Sequence, residues 1–282
     1  PANGPLKQGI GWMFQILPYL EEGAIKNIVH QADLAKNPIA LYNCPSRRGI
    51  TISNNTNFGV PPIQVSLVDY AAATAGPSRS EIGNLIDDYF SRPVQDYSDL
   101  SRDAFWGCPV CSSSLPSAIN VRDMRAAGTP VQFRGIIQRT DWSVNVATPA
   151  LSKNNGFTVK MTIAKITDGT SKTLLVAEKR LRPSEYSGFS TREGADPEAA
   201  PKFDDRGWAD GWDYDGLRSC MFPPEQDGEL PEDDDDFAYS FGSAHSGAMN
   251  ALFADASVRS ISYGVDRETF NRLGHRSDGE PI

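Results

Sequence analysis

Alternation of apolar and polar residues in the second half of the chain constrains the fold more than any other feature. The run KTLLVAEKRL (172–181) is apolar enough for a strand, and MNALFADASVRSISYGV (249–265) is typical of a hairpin. FTVKMTIAKI (157–166) alternates with a period of two, and the turn TDGTS, centred on Asp168 and Gly169, follows it. Because such short turns join antiparallel neighbours, the pattern predicts a mainly antiparallel sheet.

Three further runs are predicted to be strands. They are IALYNCPSRRG (39–49), which runs into a turn, SLVDYAAATAG (66–76) and VQFRGIIQ (131–138). Residues 77–130 carry weak periodicity and many Pro, Ser, Asp and Gly residues. We therefore predict one domain over residues 1–282, with residues 77–130 as an elaborated insertion.

Helical periodicity is confined to short stretches. It predicts a helix over Pro18–His30, with Pro18 in its first turn, and a short second helix over Ala32–Asn37. A last helix is predicted to begin after the N-cap Asp266 and to end at Gly274. The 24 Gly and 20 Pro favour turns over long helices. The predicted fold class is α+β, with an N-terminal helix packed on a mainly antiparallel β-sheet.

The charge and hydropathy patterns exclude two classes of function. With 27 basic and 36 acidic residues the net charge is −9, which argues against nucleic-acid binding because an acidic surface repels phosphate. The sequence has no run of 18 apolar residues that could span a membrane. It opens PANGPLKQG, without a Met, so we expect a processed product whose targeting or anchoring segment lies outside this sequence.

The chain has four cysteines, Cys44, Cys108, Cys111 and Cys220. A four-thiolate zinc site usually contains two closely spaced pairs, and here only CPVC (108–111) is such a pair. Disulfides formed in an oxidising compartment are the simpler interpretation, and the spacing leaves their pairing open.

The segment GWADGWDYDGLRSC (207–220) combines carboxylates with aromatic rings. Oxygen ligands suit calcium, so the candidate calcium ligands are Asp204, Asp205, Asp210, Asp213 and Asp215. The alternative is that these acids cap turns and face water. The aromatic candidates for stacking on an extracellular glycan are Trp208, Trp212 and Tyr214, and the alternative is that they fill the core from one face of a strand.

His245 precedes Asp255 by ten residues near the predicted hairpin. Catalysis would need a nucleophile beside the imidazole, and no nucleophile-elbow pattern surrounds Ser243 or Ser246. A metal ligand and a hydrogen-bonding residue that fixes the hairpin are the other interpretations, and we favour the hydrogen-bonding role.

Several segments in this order resemble the DUF1559 family, also labelled SBP_bac_10, which is greatly expanded in planctomycete bacteria. They are GWMFQILPYLEEGAI, YNCPSRR, VDYAAATAG, ITDGTSKTLLVAEKRL, GWADGWDYDGLRSC and the run 241–279. Members of that family are similar to the major pseudopilins of type II secretion. They usually begin with a prepilin leader, which is cleaved and N-methylated, and a long hydrophobic helix.

The resemblance implies an exported, non-enzymatic, pilin-like head of the cell envelope. Its expected partners are other pilin-like or secretion-system subunits, or further copies of itself, and it would touch the membrane only through the absent helix. Pseudopilins bind calcium in a C-terminal loop, and Cys44 would pair with a cysteine upstream of this sequence. An extracellular polysaccharide-binding module or glycan-active enzyme using residues 204–215 is the alternative.

The resemblance also covers the family signature of His, nine residues and Asp-Gly. His245 and Asp255 match it, but Ala256 stands at the Gly position. Asp-Gly supplies a positive φ cheaply, whereas Ala there costs about 1 kcal/mol or more. We therefore expect either a type I turn with a bulge or a turn that does not need the glycine.

Overall fold

The computed structural model describes residues 10–55, 63–84, 87, 90, 133–138, 140–143, 153–157, 160–188, 204–229 and 239–282. The described α-helices are α1 Trp12–Ile16, α2 Gly23–Lys26, α3 Gln31–Ala35, α4 Arg79–Ile82 and α5 Arg267–Gly274. The described strands are β1 Ile52–Asn55, β2 Ile63–Ser66, β3 Tyr70–Thr74, β4 Thr140–Ser143, β5 Lys153–Phe157, β6 Leu174–Glu178, β7 Leu217–Ser219, β8 Glu225–Gln226, β9 Gly242–Ser243, β10 Ala248–Phe253 and β11 Val258–Ser262. Short 3₁₀ helices occupy Leu17–Leu20, Ala40–Tyr42, Ile163–Lys165 and Pro183–Glu185. The predicted α+β class is confirmed.

A five-stranded sheet, in the order β11-β10-β6-β3-β7, lies at the centre of the described residues. Its pairs are antiparallel except for β3 with β7, which is parallel. The terminal hairpin pairs Met249 with Ile261 and Leu252 with Val258, so this predicted hairpin is confirmed. The pairs β1–β2 and β4–β5 are antiparallel, and the short pair β8–β9 is parallel.

The N-terminal region is helical, but a continuous helix over Pro18–His30 is wrong. The chain forms α1, a 3₁₀ turn and α2, and Glu21 interrupts them with a φ of 64°. Pro18 lies in the first turn of the 3₁₀ helix rather than of an α-helix, and the Glu21 N–H donates to the Leu17 carbonyl. Gly23 comes two residues after Glu21, so local turn chemistry overrides the helical spacing of the apolar residues. The short helix predicted over Ala32–Asn37 is confirmed as α3.

Three strand predictions fail in the described residues. Residues 39–43 form the 3₁₀ turn Ala40–Tyr42 instead of a strand. The turn predicted after them is confirmed, since the Cys44 carbonyl accepts the N–H groups of Arg47 and Arg48. Residues 133–138 form bends instead of a strand. The run 157–166 leaves the sheet after β5 and forms a 3₁₀ turn, where the Ile163 side chain is 78 % exposed.

The core lies on both faces of the central sheet. On one face the apolar residues of β6, β10 and β11 pack on Phe270 of α5, and Gly274 at the end of α5 fits closely against Cys220. Asp266 caps this helix by accepting the Thr269 N–H, as predicted. A separate apolar cluster joins Met13, Phe14 and Leu17 to β2 and Trp208, and so fixes the N-terminal helices to the body.

Candidate functional site

A buried network of ion pairs connects the turn after Cys44 to the ends of the central strands. Arg47 donates from Nε to Asp227 Oδ2 at 2.7 Å and from Nη2 to the Lys179 carbonyl at 2.6 Å and the Gly242 carbonyl at 3.2 Å. One guanidinium therefore holds three separate segments together.

Arg48 and Lys179 extend the same network to Asp204. Arg48 Nη1 lies 2.6 Å from Asp204 Oδ2, and Lys179 Nζ lies 2.8 Å from Asp204 Oδ1. Burial acts to raise the pKa of Asp204, but the charges of Arg48 and Lys179 outweigh it and hold that pKa below its ordinary value. Both oxygens of this candidate calcium ligand are thus occupied by basic side chains.

Cys44, Glu178 and His245 converge on one point beside this network. Cys44 Sγ lies 3.7 Å from His245 Nε2, and Glu178 Oε1 lies 3.3 Å from the same nitrogen. The three potential ligand atoms all lie within 4.8 Å of one another. The carboxyl of Glu178 is 1 % exposed, whereas the imidazole of His245 is 34 % exposed, so the point is reached from solvent on the histidine side.

Backbone contacts fix each member of this trio. The Cys44 N–H donates to Asp69 Oδ2 at 2.7 Å. Glu178 is the last residue of β6, and its Oε2 accepts the Asn250 N–H at 2.7 Å. His245 follows β9, and its carbonyl accepts the Tyr263 hydroxyl at 2.8 Å.

Burial raises the pKa of the Cys44 thiol, and the neighbouring Glu178 raises it further. Glu178 Oε1 lies 3.3 Å from His245 Nε2, and the Cys44 thiol hydrogen-bonds to the Glu178 carboxyl. The trio is thus a neutral thiol, a buried carboxylate whose Oε1 meets only weak donors among the described residues and a partly exposed imidazole.

The structure separates His245 from Asp255. Asp255 lies in the hairpin turn, where it accepts the Ser257 N–H at 2.9 Å and the Ser257 hydroxyl at 2.6 Å. These hydrogen bonds lower the pKa of Asp255. Ala256 has a φ of 66°, and its N–H donates to the Phe253 carbonyl, the arrangement of a type I turn with a bulge.

The acidic segment brings Asp205, Asp213 and Asp215 within 4.8 Å of one another. Asp215 accepts the backbone N–H groups of residues 205–207 at 3.1–3.2 Å. Arg206 lies 3.3 Å from Asp210 and 3.9 Å from both Asp205 and Asp213. Burial, reinforced by Asp215 and Asp210, raises the pKa of Asp213 to about 8.

The aromatic candidates lie at different depths. Trp208 is 2 % exposed and donates from Nε1 to the Asn37 carbonyl, so its face is closed to a sugar. Half-buried Trp212 packs on Phe133 at a ring separation of 4.6 Å, and the Tyr214 hydroxyl lies 2.9 Å from that of Tyr239.

The described cysteines, Cys44 and Cys220, are both buried free thiols, so neither forms a disulfide within this structure. Pairing of Cys44 with a cysteine upstream of this sequence stays a prediction. Cys108 and Cys111 lie outside the described residues. Asp168 accepts the N–H groups of Asp278 and Gly279, and Gly169 has a φ of 100°. Asp168 therefore holds the C-terminal segment against the turn.

Sequence reasoning found His245 and Cys44 but did not connect them, and it missed Glu178 and the Arg47 network. The available signal was the strand LLVAE (174–178), an apolar run whose last residue begins a run of three charged residues, 178–180. Charge directly after a buried strand indicates that the strand end faces a polar site.

Most of the sequence matches one known protein family. The family described as SBP_bac_10, "Protein of unknown function (DUF1559)", matches residues 1–268, and the chain belongs to it. A search of curated proteins and a search of solved structures each returned no match. In the part of the chain that the structure describes, no helix is long and apolar enough to cross a bilayer.

Proposed function

We propose that this protein is an exported, pilin-like head that serves as a structural or interaction protein of the cell envelope. Its expected neighbours are other pilin-like or secretion-system subunits, or further copies of itself. It is held or assembled through a helix that precedes this sequence, and its role is non-enzymatic.

The observation that carries this proposal is the way in which the N-terminal helices join the body. The Gly11 N–H donates to the Asp210 carbonyl at 2.8 Å, and Trp12 Nε1 donates to the Gly216 carbonyl at 2.8 Å. Met13, Phe14 and Leu17 are buried directly afterwards. The first described residues are thus attached to the segment 207–216 and packed beside β2, which supports a head held through its N-terminal side.

The test is to follow the native gene product in its own cells. We expect the protein to fractionate with the envelope, to carry a cleaved and N-methylated terminus and to cross-link to pilin-like subunits. Removing the prepilin peptidase should leave the unprocessed form. A soluble protein released after ordinary signal cleavage would contradict the proposal.

Calcium binding by the acidic segment stays a prediction. Three clustered carboxylates support it, but Arg206 already supplies positive charge beside them, and Asp215 is occupied by backbone N–H groups. The measurement is calorimetric titration with calcium after treatment with EDTA.

The glycan alternative would have to rely on Trp212 and Tyr214, since Trp208 is buried, and a glycan array tests it.

A further inference from the structure

The geometry points to a transition-metal site formed by Cys44 Sγ, Glu178 Oε1 and His245 Nε2, with zinc as the best-fitting ion. These atoms come from the turn before β1, from the end of β6 and from the loop after β9. The site is separate from the acidic segment and does not depend on the envelope role.

Two of the three separations match a tetrahedral site, and the third, between Cys44 Sγ and Glu178 Oε1, is within 4.8 Å. With bonds of about 2.3 Å to sulfur and about 2.0 Å to nitrogen and oxygen, neighbouring ligand atoms lie about 3.3–3.6 Å apart. The observed separations are 3.7 Å between Sγ and Nε2 and 3.3 Å between Nε2 and Oε1. No large movement is needed to accept an ion.

The donor set selects the kind of metal. Thiolate and imidazole ligands favour zinc and similar ions over calcium or magnesium, which take oxygen ligands. Binding uses the thiolate, so the Cys44 proton leaves to solvent as the metal–sulfur bond forms. Three protein ligands leave a fourth position open, and the partial exposure of His245 gives it access to water or a small ligand.

The same geometry argues against a catalytic thiol–imidazole pair. In such a pair one ring nitrogen of the histidine faces the thiol and the other faces the carboxylate that orients the ring. Here a single atom, Nε2, faces both Cys44 and Glu178. Convergence on one atom suits coordination of a shared ion rather than proton relay.

Charge balance is an independent argument for a cation. The buried carboxylates of the described residues are Asp69, Glu178, Glu185, Asp204, Asp205 and Asp215. Each has an Arg or Lys nitrogen within 4 Å except Glu178, whose basic neighbour within that distance is His245. The Asp278 carboxyl, whose side chain is 1 % exposed, likewise faces a histidine, His275, at 3.9 Å, but no cysteine joins that pair among the described residues. A buried carboxylate that meets only a thiol and an imidazole is poorly compensated, and a bound metal ion would supply positive charge beside it.

The test is metal titration of the purified chain in a Cys108→Ser/Cys111→Ser background, which removes the C-x-x-C thiols. We expect one equivalent of zinc, measured by competition with a chromophoric chelator. Cobalt should give a thiolate charge-transfer band. Cys44→Ser, Glu178→Gln and His245→Gln should each weaken zinc binding by more than the roughly 10–100-fold that loss of a ligand's hydrogen-bond partner costs.

The matched controls are Cys220→Ser, which removes the other described buried thiol, and His30→Gln, which removes an exposed imidazole. Both variants should bind zinc with the same affinity as the Cys108→Ser/Cys111→Ser protein. If Cys44→Ser or Glu178→Gln fails to fold, His245→Gln decides, because the His245 side chain is partly exposed and its replacement leaves the core intact. Zinc should raise the melting temperature of the background protein but not that of His245→Gln. Sub-stoichiometric binding, or a cobalt band that survives Cys44→Ser, would overturn the assignment.

Discussion

The substitution Ala256→Gly is expected to stabilise the protein. Ala256 has a φ of 66°, which a residue with a Cβ adopts at a cost of about 1–2 kcal/mol. Glycine removes this cost but loses about 0.5–1 kcal/mol more chain entropy on folding. The net gain in the free energy of unfolding is about 0.5–1 kcal/mol, provided that the hydrogen bond from the Ala256 N–H to the Phe253 carbonyl is kept.

Urea denaturation measures this gain directly. Because a domain of this size shifts its melting temperature by about 2–4 °C per kcal/mol, calorimetry should show a rise of about 1–4 °C. The m-value should not change, since the turn adds little surface to the unfolding reaction.

Two substitutions control for the general effect of glycine. Ala254 lies in the same loop but does not have a positive φ, so Ala254→Gly should lower the free energy of unfolding by about 0.5–1 kcal/mol. Gly247→Ala introduces a Cβ at a φ of 81° with no atom within 4 Å, so its expected loss of about 1 kcal/mol is a backbone effect alone. A clear loss of stability in Ala256→Gly, or equal effects of Ala256→Gly and Ala254→Gly, would refute the reasoning about the turn.

Three further substitutions test the buried charges. Asp69→Ala removes a buried carboxylate that pairs with both Arg47 and Arg48 and accepts the Cys44 N–H, so urea denaturation should show a loss of about 3–5 kcal/mol, and a loss below about 1 kcal/mol would contradict the network. Asp213 has its pKa raised from 3.8 to about 8, so the folded state keeps a proton that the unfolded state releases, and stability falls as pH rises between those values. Asp213→Asn should remove this slope, so it should gain stability over the parent protein at pH 8 but not at pH 4, and parallel pH profiles would refute it. Arg47→Lys keeps the charge but loses the planar guanidinium that donates to the Lys179 and Gly242 carbonyls, so zinc affinity should fall by about 10–100-fold. An unchanged affinity would show that Arg47 does not position the metal ligands.

The elements that sequence reasoning predicted well are those specified by neighbouring residues. The helix after Asp266 has its N-cap and its last residue, Gly274, within nine residues, and it begins and ends where predicted. The hairpin of β10 and β11 likewise depends on alternation and a short turn. Local signals of this kind are sufficient because no distant segment competes with them.

The failures occur where distant contacts decide the structure. The apolar run at the start of residues 39–49 predicts a strand, yet it forms a 3₁₀ turn, and ion pairs of Arg47 and Arg48 with remote carboxylates fix the segment directly after it. The approach of Cys44 to His245 joins residues 201 positions apart, and periodicity carries no information over such a distance. The candidate site could therefore be predicted only as separate residues.

Arg47 gives a physical reason for placing costly charges in the core. Its guanidinium binds the carbonyl of Lys179, next to Glu178, and the carbonyl of Gly242, three residues before His245, while its own turn begins at Cys44. Buried ion pairs of this kind contribute little net stability, but they specify one arrangement among alternatives of similar energy. In this protein the arrangement that they specify is the one that brings a thiol, a carboxylate and an imidazole to a common point. We therefore propose that the ion-pair network positions the three metal ligands before a metal ion binds.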